Sequence, residues 1–526
     1  MSKNPNTPGV PPHTPASDDP SAASGGLSRR GFVRNGALLG GLAAAFGGVL
    51  PAGTAAAATT SSTTATPRSG VNSATGTVDI PNKYNKPFSV ADDELFVFAA
   101  NFKPFELGGD DAPDRQAQGF FNTVFGDAIR AKFPNLKIKY ATWDYPIRYE
   151  DIAKAGRVPD LILEDPRLRI DRDLEPLGWT QDITALVQGA GIDLTKLNLG
   201  AVEQLKSRSD GGLYGVPLWI DESLLFYNKL IFDKFRVKYP TVGSTYDDVY
   251  RTAQKLTRQD GLDFYKGYMQ HPDNYLAMNQ LGLYPFVPGS SEQPAPEDVK
   301  VNLTTADWKS IANNLYRFLM IPRNNFTTVD DFFKGDMSFP GHLAMAVNSL
   351  SKLNAYALSP YYIKPSDAAK YAEWAKSVKL GVTSMPVLSR GSKAIYQPDT
   401  RAAFVPPQSK HQDQALDVVK YLVSEEMQTR ISAYGMKAVL PTDAVVNAFG
   451  TSIPELSAVD TSAVYWGENA VIKNYKNTEY WDIPLYKVFR QHVLKDGMDV
   501  NSSLQVAEQQ DIPDYIKAQA AAGFTW

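Results

Sequence analysis

The run Tyr214-Gly215-Val216-Pro217-Leu218-Trp219, followed by Leu225-Phe226-Tyr227-Asn228-Lys229 and Phe232, carries the strongest local signal in the chain. Gly211-Gly212 marks a turn ahead of it, and Tyr214 to Trp219 is strand-like but interrupted by Pro217. Proline cannot donate a ladder hydrogen bond, so the pattern predicts a sheet edge or a crossover. Upstream, Leu95 to Ala100 is an apolar run suited to a buried strand. Residues 113–132 place Phe121, Val124, Phe125, Ala128 and Ile129 at helical spacing. Pro134-Asn135 ends that helix before the alternating strand Leu136 to Tyr140, and Pro159-Asp160 precedes another short apolar run at Leu161 to Leu163. Strand, helix, strand opens an α/β layer, with a parallel sheet expected. Trp179 to Val187 reads as a loop leading into a short helix.

Downstream, helix starts are punctuated by capping pairs. Ser244 with Asp247 precedes Val249, Ala253 and Leu256, and Thr304 with Asp307 precedes Trp308, Ile311, Leu315 and Phe318. Ser409 with Gln412 forms a fuller capping box, and Ser424 starts a further helix reaching Gly435. Beyond it the chain has aromatic and apolar periodicity without a clear strand, so a helical tail with aromatic loops is expected.

The length of 526 residues, with 43% hydrophobic and 21% charged, describes a folded chain of more than one domain. Lys plus Arg number 53 against 57 Asp plus Glu, a net charge of −4 that argues against nucleic acid as a partner. The absence of Cys removes disulfides, thiolate metal ligands, cysteine nucleophiles and a lipid-modified N-terminal cysteine. Ser28-Arg29-Arg30-Gly31-Phe32-Val33-Arg34 and the Gly/Ala/Leu-rich stretch Asn35 to Val49 resemble a twin-arginine export signal, with Arg29 and Arg30 as the pair and small residues Ala55 to Ala58 at the cleavage region. The apolar stretch is too short and too rich in Gly and Ala to read as a membrane span. Residues 1–58 are assigned to the signal and residues 59–78, mostly Thr, Ser, Ala and Gly, to a flexible linker.

No nucleophile-elbow, zinc-protease, phosphate-loop, dinucleotide or calcium-loop pattern occurs. His271, His342, His411 and His492 stand apart without metal-ligand spacing, so neither a metal nor a cofactor is expected. Glu164-Asp165 and Asp221-Glu222 offer the carboxylates a glycosidase would need, but adjacent acids on a continuing strand face opposite ways. Aromatic usage points toward binding: 26 Tyr, 25 Phe and 8 Trp supply flat faces that stack on sugar rings. Trp308 and Trp374 fall within helical patterns and read as core. Trp143 and Trp219 lie at strand ends, where α/β proteins place ligands. Trp466 and Trp481, with Tyr465, Tyr475, Tyr480 and Asn469, either line a cleft or bind helices together.

Tyr214 to Pro217 followed by Leu225 to Lys229 and Phe232 resembles the maltose-binding-like extracellular solute-binding proteins of ABC importers. Tyr149 through Pro159-Asp160, Thr245 to Leu256, Phe333 through Met345 and Ser409 to Pro441 resemble further stretches of that family in the same order, although Phe339-Pro340-Gly341-His342 is an odd insertion. The likeness covers roughly residues 92–445. It implies an α/β fold of periplasmic-binding-protein type, with two lobes, three interlobe crossovers and a helical C-terminal region. The crossovers are expected near Asp221, residues 389–393 and Pro441. Lobe one then comprises 79–220 and 393–440, and lobe two 221–389 and 441–526. A ligand held between the lobes draws them together without any bond breaking. The ligand-binding residues carried over by position are Trp143 and Asp144, Glu164 and Asp165, Trp219 and Asp221, Asn348 and Tyr396, with Trp466 from the tail. The resemblance implies a monomeric, exported receptor that presents a carbohydrate or other small solute to ABC permease subunits. A carbohydrate-active enzyme and a surface protein that binds polysaccharide without transport are the competing readings.

Overall fold

The computed structural model describes residues 71–72, 76–81, 88–99, 121–142, 147–165, 173–206, 212–270, 274–287, 298–324, 342–351, 376–454, 456, 459–471 and 483–521. All of them lie in one compact unit, Ser61–Trp526.

Of the five sheets among the described residues, two organise the cores. The larger has six strands in the order Lys437–Ala438, Val216–Ile220, Thr400–Phe404, Leu161–Glu164, Leu95–Ala99 and Ile138–Thr142. Leu95–Ala99 is buried at every position, which is why it reads as an unbroken apolar run. It pairs in parallel with Ile138–Thr142 and Leu161–Glu164, as the strand-helix-strand reading requires. The expectation of a parallel sheet holds only for that half. Thr400–Phe404 enters the middle of the sheet antiparallel to both neighbours, and Lys437–Ala438 is also antiparallel. A strand arriving from the other core, rather than over a crossover helix, carries no requirement for parallel direction.

Pro217 sits where its strand can tolerate it. The ladder with Thr400–Phe404 is bulged between Arg401 and Ala402, and Lys437–Ala438 reaches only Ile220 and Trp219 on the other side. The second sheet runs Met269–Gln270, Met345–Ser349, Ser223–Asn228, Leu380–Ser384. The chain thus passes from the first sheet to the second within the three positions after Ile220.

Separate apolar cores confirm two lobes. One gathers Val78 to Ile220 with Ala402 to Val445; the second gathers Leu225 to Tyr396 with Ile483 to Ile516. A third cluster packs Phe449, Ile453 and Val464 against the outer residues of the second sheet, including Leu224 and Phe226. The C-terminal region is helical, with helices Leu485–Leu494, Val500–Val506 and Ile512–Ala521. No helix among the described residues is long and apolar enough to cross a membrane.

The helix caps differ in register from the sequence reading. Thr245, not Ser244, caps Tyr246–Leu256: its Oγ1 accepts from the Asp248 amide at 3.2 Å, and its own amide donates to Asp248 Oδ2 at 3.0 Å. Thr305, not Thr304, caps Ala306–Leu319, while the amides of Leu303 and Thr304 donate to Glu508 of the tail at 2.6 and 2.8 Å. Two adjacent hydroxyl residues compete for each cap, and the tertiary partner decides which one turns the chain. Ser409 makes no capping box with Gln412. Its hydroxyl donates to buried Asp160 at 2.7 Å and accepts the His411 amide at 3.0 Å. Ser424 caps Glu425–Ala433 as read.

Candidate functional site

The carboxyl ends of the parallel strands point to one place. Glu164 ends its strand beside Ala402, Ile220 pairs with both Thr400 and Lys437, and the next two residues, Asp221 and Glu222, lead into the second sheet. There Ser223 pairs with Ser349 at the end of its strand, and Ser384 ends the neighbouring one beside Leu224. Both sheets therefore bring strand ends to the crossover, the position at which open α/β sheets bind ligands.

Around this seam the side chains fall into two groups. In the first, Arg401 lies over the Trp219 ring at 5.2 Å, reaches Asp165 at 3.5 Å and bonds Asp399. Asp221 accepts the Ser351 amide at 2.7 Å, and its own amide donates to the Asp399 carbonyl at 2.8 Å. Burial pushes the Asp221 carboxyl up to about 6, with the negative charge of Asp399 adding to the rise and Arg401 and the Ser351 bond opposing it. In the second group, Glu222 accepts from Lys437 Nζ at 2.5 Å and Asn469 Nδ2 at 3.1 Å.

Of the residues singled out by sequence, Asp165, Trp219 and Asp221 come together around Arg401 and Asp399. Glu164 adjoins them but is wholly buried: Tyr149 Oη donates to it at 2.5 Å, and the Asp165 amide at 2.9 Å. Asn348 is buried on Met345–Ser349, where it accepts the Ser349 amide at 2.9 Å; Ser349 Oγ in turn lies 2.8 Å from Ser351 Oγ. Tyr396 is set apart in the second core, its hydroxyl accepting from Gln270 Nε2 at 2.8 Å. Trp466 is half-buried against Gly243, whose positive φ of 73° makes the turn and whose amide donates to Ser384 Oγ at 2.9 Å. Trp143, Asp144, Trp374, Trp481, His271, Arg29 and Arg30 lie outside the described residues.

Sequence reasoning did not single out Asp399, Arg401, Ser351 or Lys437. The signal for the first two was present: Asp399-Thr400-Arg401 places two charges directly against the apolar run Ala402 to Val405. Neighbouring carboxylates raised the glycosidase alternative, but each has a partner within the chain: Tyr149 for Glu164, Arg401 for Asp165, Ser351 for Asp221 and Lys437 for Glu222. Among the described residues no group of His, Asp and Glu is arranged to hold a metal ion. His492 is buried between Asp511 at 3.2 Å and Ser503 at 3.1 Å, a packing role in the tail.

Two α/β cores, crossed repeatedly by the chain and meeting at strand ends, define a binding protein of the periplasmic type. Solved structures share the fold. A sugar transporter protein from Rhizobium etli in an open conformation matches with a TM-score of 0.56 and 19% identity over 80% of this chain and 99% of its own. A cyclic alpha-maltosyl-1,6-maltose binding protein from Arthrobacter globiformis gives 0.56 and 16% over 81% and 99%. UgpB from Mycobacterium tuberculosis, in complex with glycerophosphocholine, gives 0.50 and 15% over 81% and 99%. A comparison with curated proteins gives no match. Residues 112–429 match the family described as bacterial extracellular solute-binding protein, and the chain belongs to that family. It is accordingly an extracytoplasmic, non-catalytic component of ABC import, with a small solute as cargo and permease subunits as partners.

Proposed function

We propose that the protein captures an oligosaccharide between its lobes and delivers it, as a monomer, to its permease. The observation that carries this reading is the meeting of strand ends from both sheets at Asp221, where Trp219 stacked under Arg401 is flanked by Asp165 and Asp399. Trp219 is itself buried and covered by Arg401, so it supports the seat from beneath, and Arg401, Asp165 and Asp399 are the groups that would satisfy sugar hydroxyls, which are costly to bury unpaired. Trp143, Asp144, Glu164, Asn348, Tyr396 and Trp466 complete the proposed binding set. In this reading lobe one spans 79–220 and 393–440 and lobe two 221–389 and 441–526, with Ile395 and Tyr396 packing into the second core and Val445 into the first at the passages between them. Arg29 and Arg30 direct export and residues 1–58 are removed; the linker is shorter than 59–78, because Val71–Asn72 pairs with Thr77–Val78 and Val78 is buried in the first core.

Thermal unfolding of the exported protein against mono-, di- and oligosaccharides, followed by calorimetry on any hit, tests this. A ligand at about 100 times its Kd stabilises the folded state by about 2.7 kcal/mol. A saturable shift with the sugar recovered unchanged supports the reading, and no shift across the panel rejects carbohydrate as the cargo. Release of shorter products would instead favour the enzyme, and tight polymer binding without lobe closure the surface protein.

A further inference from the structure

Three passages of chain between the lobes are tied into one buried knot. Glu222 supplies the first passage, the Tyr396 carbonyl the second, and Lys437 with Asn469 the third. Lys437 Nζ bonds Glu222 Oε2 at 2.5 Å, with side-chain exposures of only 3% and 2%. Asn469 Nδ2 donates to Glu222 at 3.1 Å and to the Tyr396 carbonyl at 3.1 Å, while its Oδ1 accepts from Asn198 Nδ2 at 3.3 Å. Backbone pairing repeats the pattern: Lys437 pairs with Ile220, and Ile395 pairs with Asn469. Gly200 lets the helix Leu199–Lys206 approach, since a Cβ there would lie 3.0 Å from Asn469 Cβ.

We propose that this knot is the pivot of lobe movement, and that Glu222, Lys437 and Asn469 are positioning residues that keep the three passages in register while the segments around them bend. The inference rests on the lobe-closure reading above. A buried ion pair is a poor source of net stability, because desolvation offsets its attraction, but separating its members leaves charges buried without partners. Opening the knot is therefore the costly path for a moving hinge, and bending beside it the cheap one. The Asp165, Asp399 and Arg401 side chains, 12–16% exposed, are wetter than the knot and lie next to it, where rearrangement on ligand contact costs less.

The chain has no cysteine, so Lys154→Cys on lobe one and Ser310→Cys on lobe two would carry spin labels at two defined, exposed positions. Without any ligand, the interlabel distance distribution is expected to be narrow in the otherwise unaltered protein. It should become about twofold wider in Glu222→Gln/Lys437→Met and narrow again in the charge-swapped Glu222→Lys/Lys437→Glu. An unchanged width in the neutral pair, with its thermal transition intact, overturns the proposal. So does a swapped pair as broad as the neutral one, because pairing of charge would then not hold the register. If the neutral pair does not fold, Asn469→Ala leaves both charges paired while removing the tie to Tyr396, and the same broadening is expected. These widths need no sugar, so failure of every glycan to bind would reject the carbohydrate reading without touching the pivot.

Discussion

Asp221 and Glu222 are adjacent acids, both more than nine-tenths buried, and they differ in almost everything else. Glu222 accepts from an ammonium, a side-chain amide and the Ser223 amide at 2.8 Å. Asp221 has the Ser351 amide as its close donor and faces the like charge of Asp399, with Arg401 shared among several carboxylates. Alternation of side chains along extended chain sends the two neighbours to opposite sides of the crossover. One therefore enters a closed, matched network and the other a buried place with fewer donors and a competing carboxylate. Burial alone does not determine what an acid does; the number of donors aimed at it does.

The sharpest way to break this contrast is to make Glu222 resemble its neighbour. Lys437→Met leaves the Glu222 carboxylate buried with amide donors only, and should destabilise the protein by about 3–5 kcal/mol in urea denaturation. Adding Glu222→Gln should recover most of that loss. Equal instability of the single and double variants would mean that the lysine stem, not the charge, supports the fold.

The second test uses pH. The Asp221 carboxyl is raised in the folded state to about 6 from an ordinary 3.8. The folded state thus binds this proton more tightly than the unfolded chain does. Its contribution to stability is complete below the unfolded value and is lost as pH rises through the folded one. Asp221→Asn removes that loss, so the stability of the variant relative to the parent should climb between pH 4 and 6 by on the order of 1–3 kcal/mol. A flat difference across that window would show that Asp221 is as well matched as Glu222.

Much of the fold was legible because local signals agreed with tertiary demand. The apolar run Leu95 to Ala99 could only be a central strand, and Pro217 correctly pointed to a place where the ladder is incomplete. Asp165, Trp219 and Asp221 could be placed at strand ends because those ends are readable from where periodicity stops. Arg401 was overlooked although Asp399 stands two residues before it, and its reach to Asp165, like that of Lys437 to Glu222 215 residues away, is a pairing no window of sequence contains. The antiparallel insertion of Thr400–Phe404 was missed for the same reason. The capping errors of one residue at Ser244 and Thr304 arose where two hydroxyls stand side by side and only the folded neighbours select one.

Arg401 offers the finest test, because it alone couples the Asp221 side of the comparison to the proposed cargo. Its guanidinium lies over Trp219 and spans Asp165 and Asp399, a planar group serving one ring and two carboxylates at once. Lysine keeps the charge but has neither the fork nor the flat face. Arg401→Lys should therefore leave the fold in place and weaken binding of the best glycan about tenfold, or about 1.4 kcal/mol, in calorimetry. The corresponding conservative change in the matched network, Glu222→Gln paired with Lys437→Met, touches no ligand and should alter affinity only through the spread of lobe positions. If Arg401→Lys binds as the parent does while the knot variant binds more weakly, recognition depends on hinge register more than on the Arg401 fork, and the division of labour between the two acids is the reverse of the one drawn from their partners.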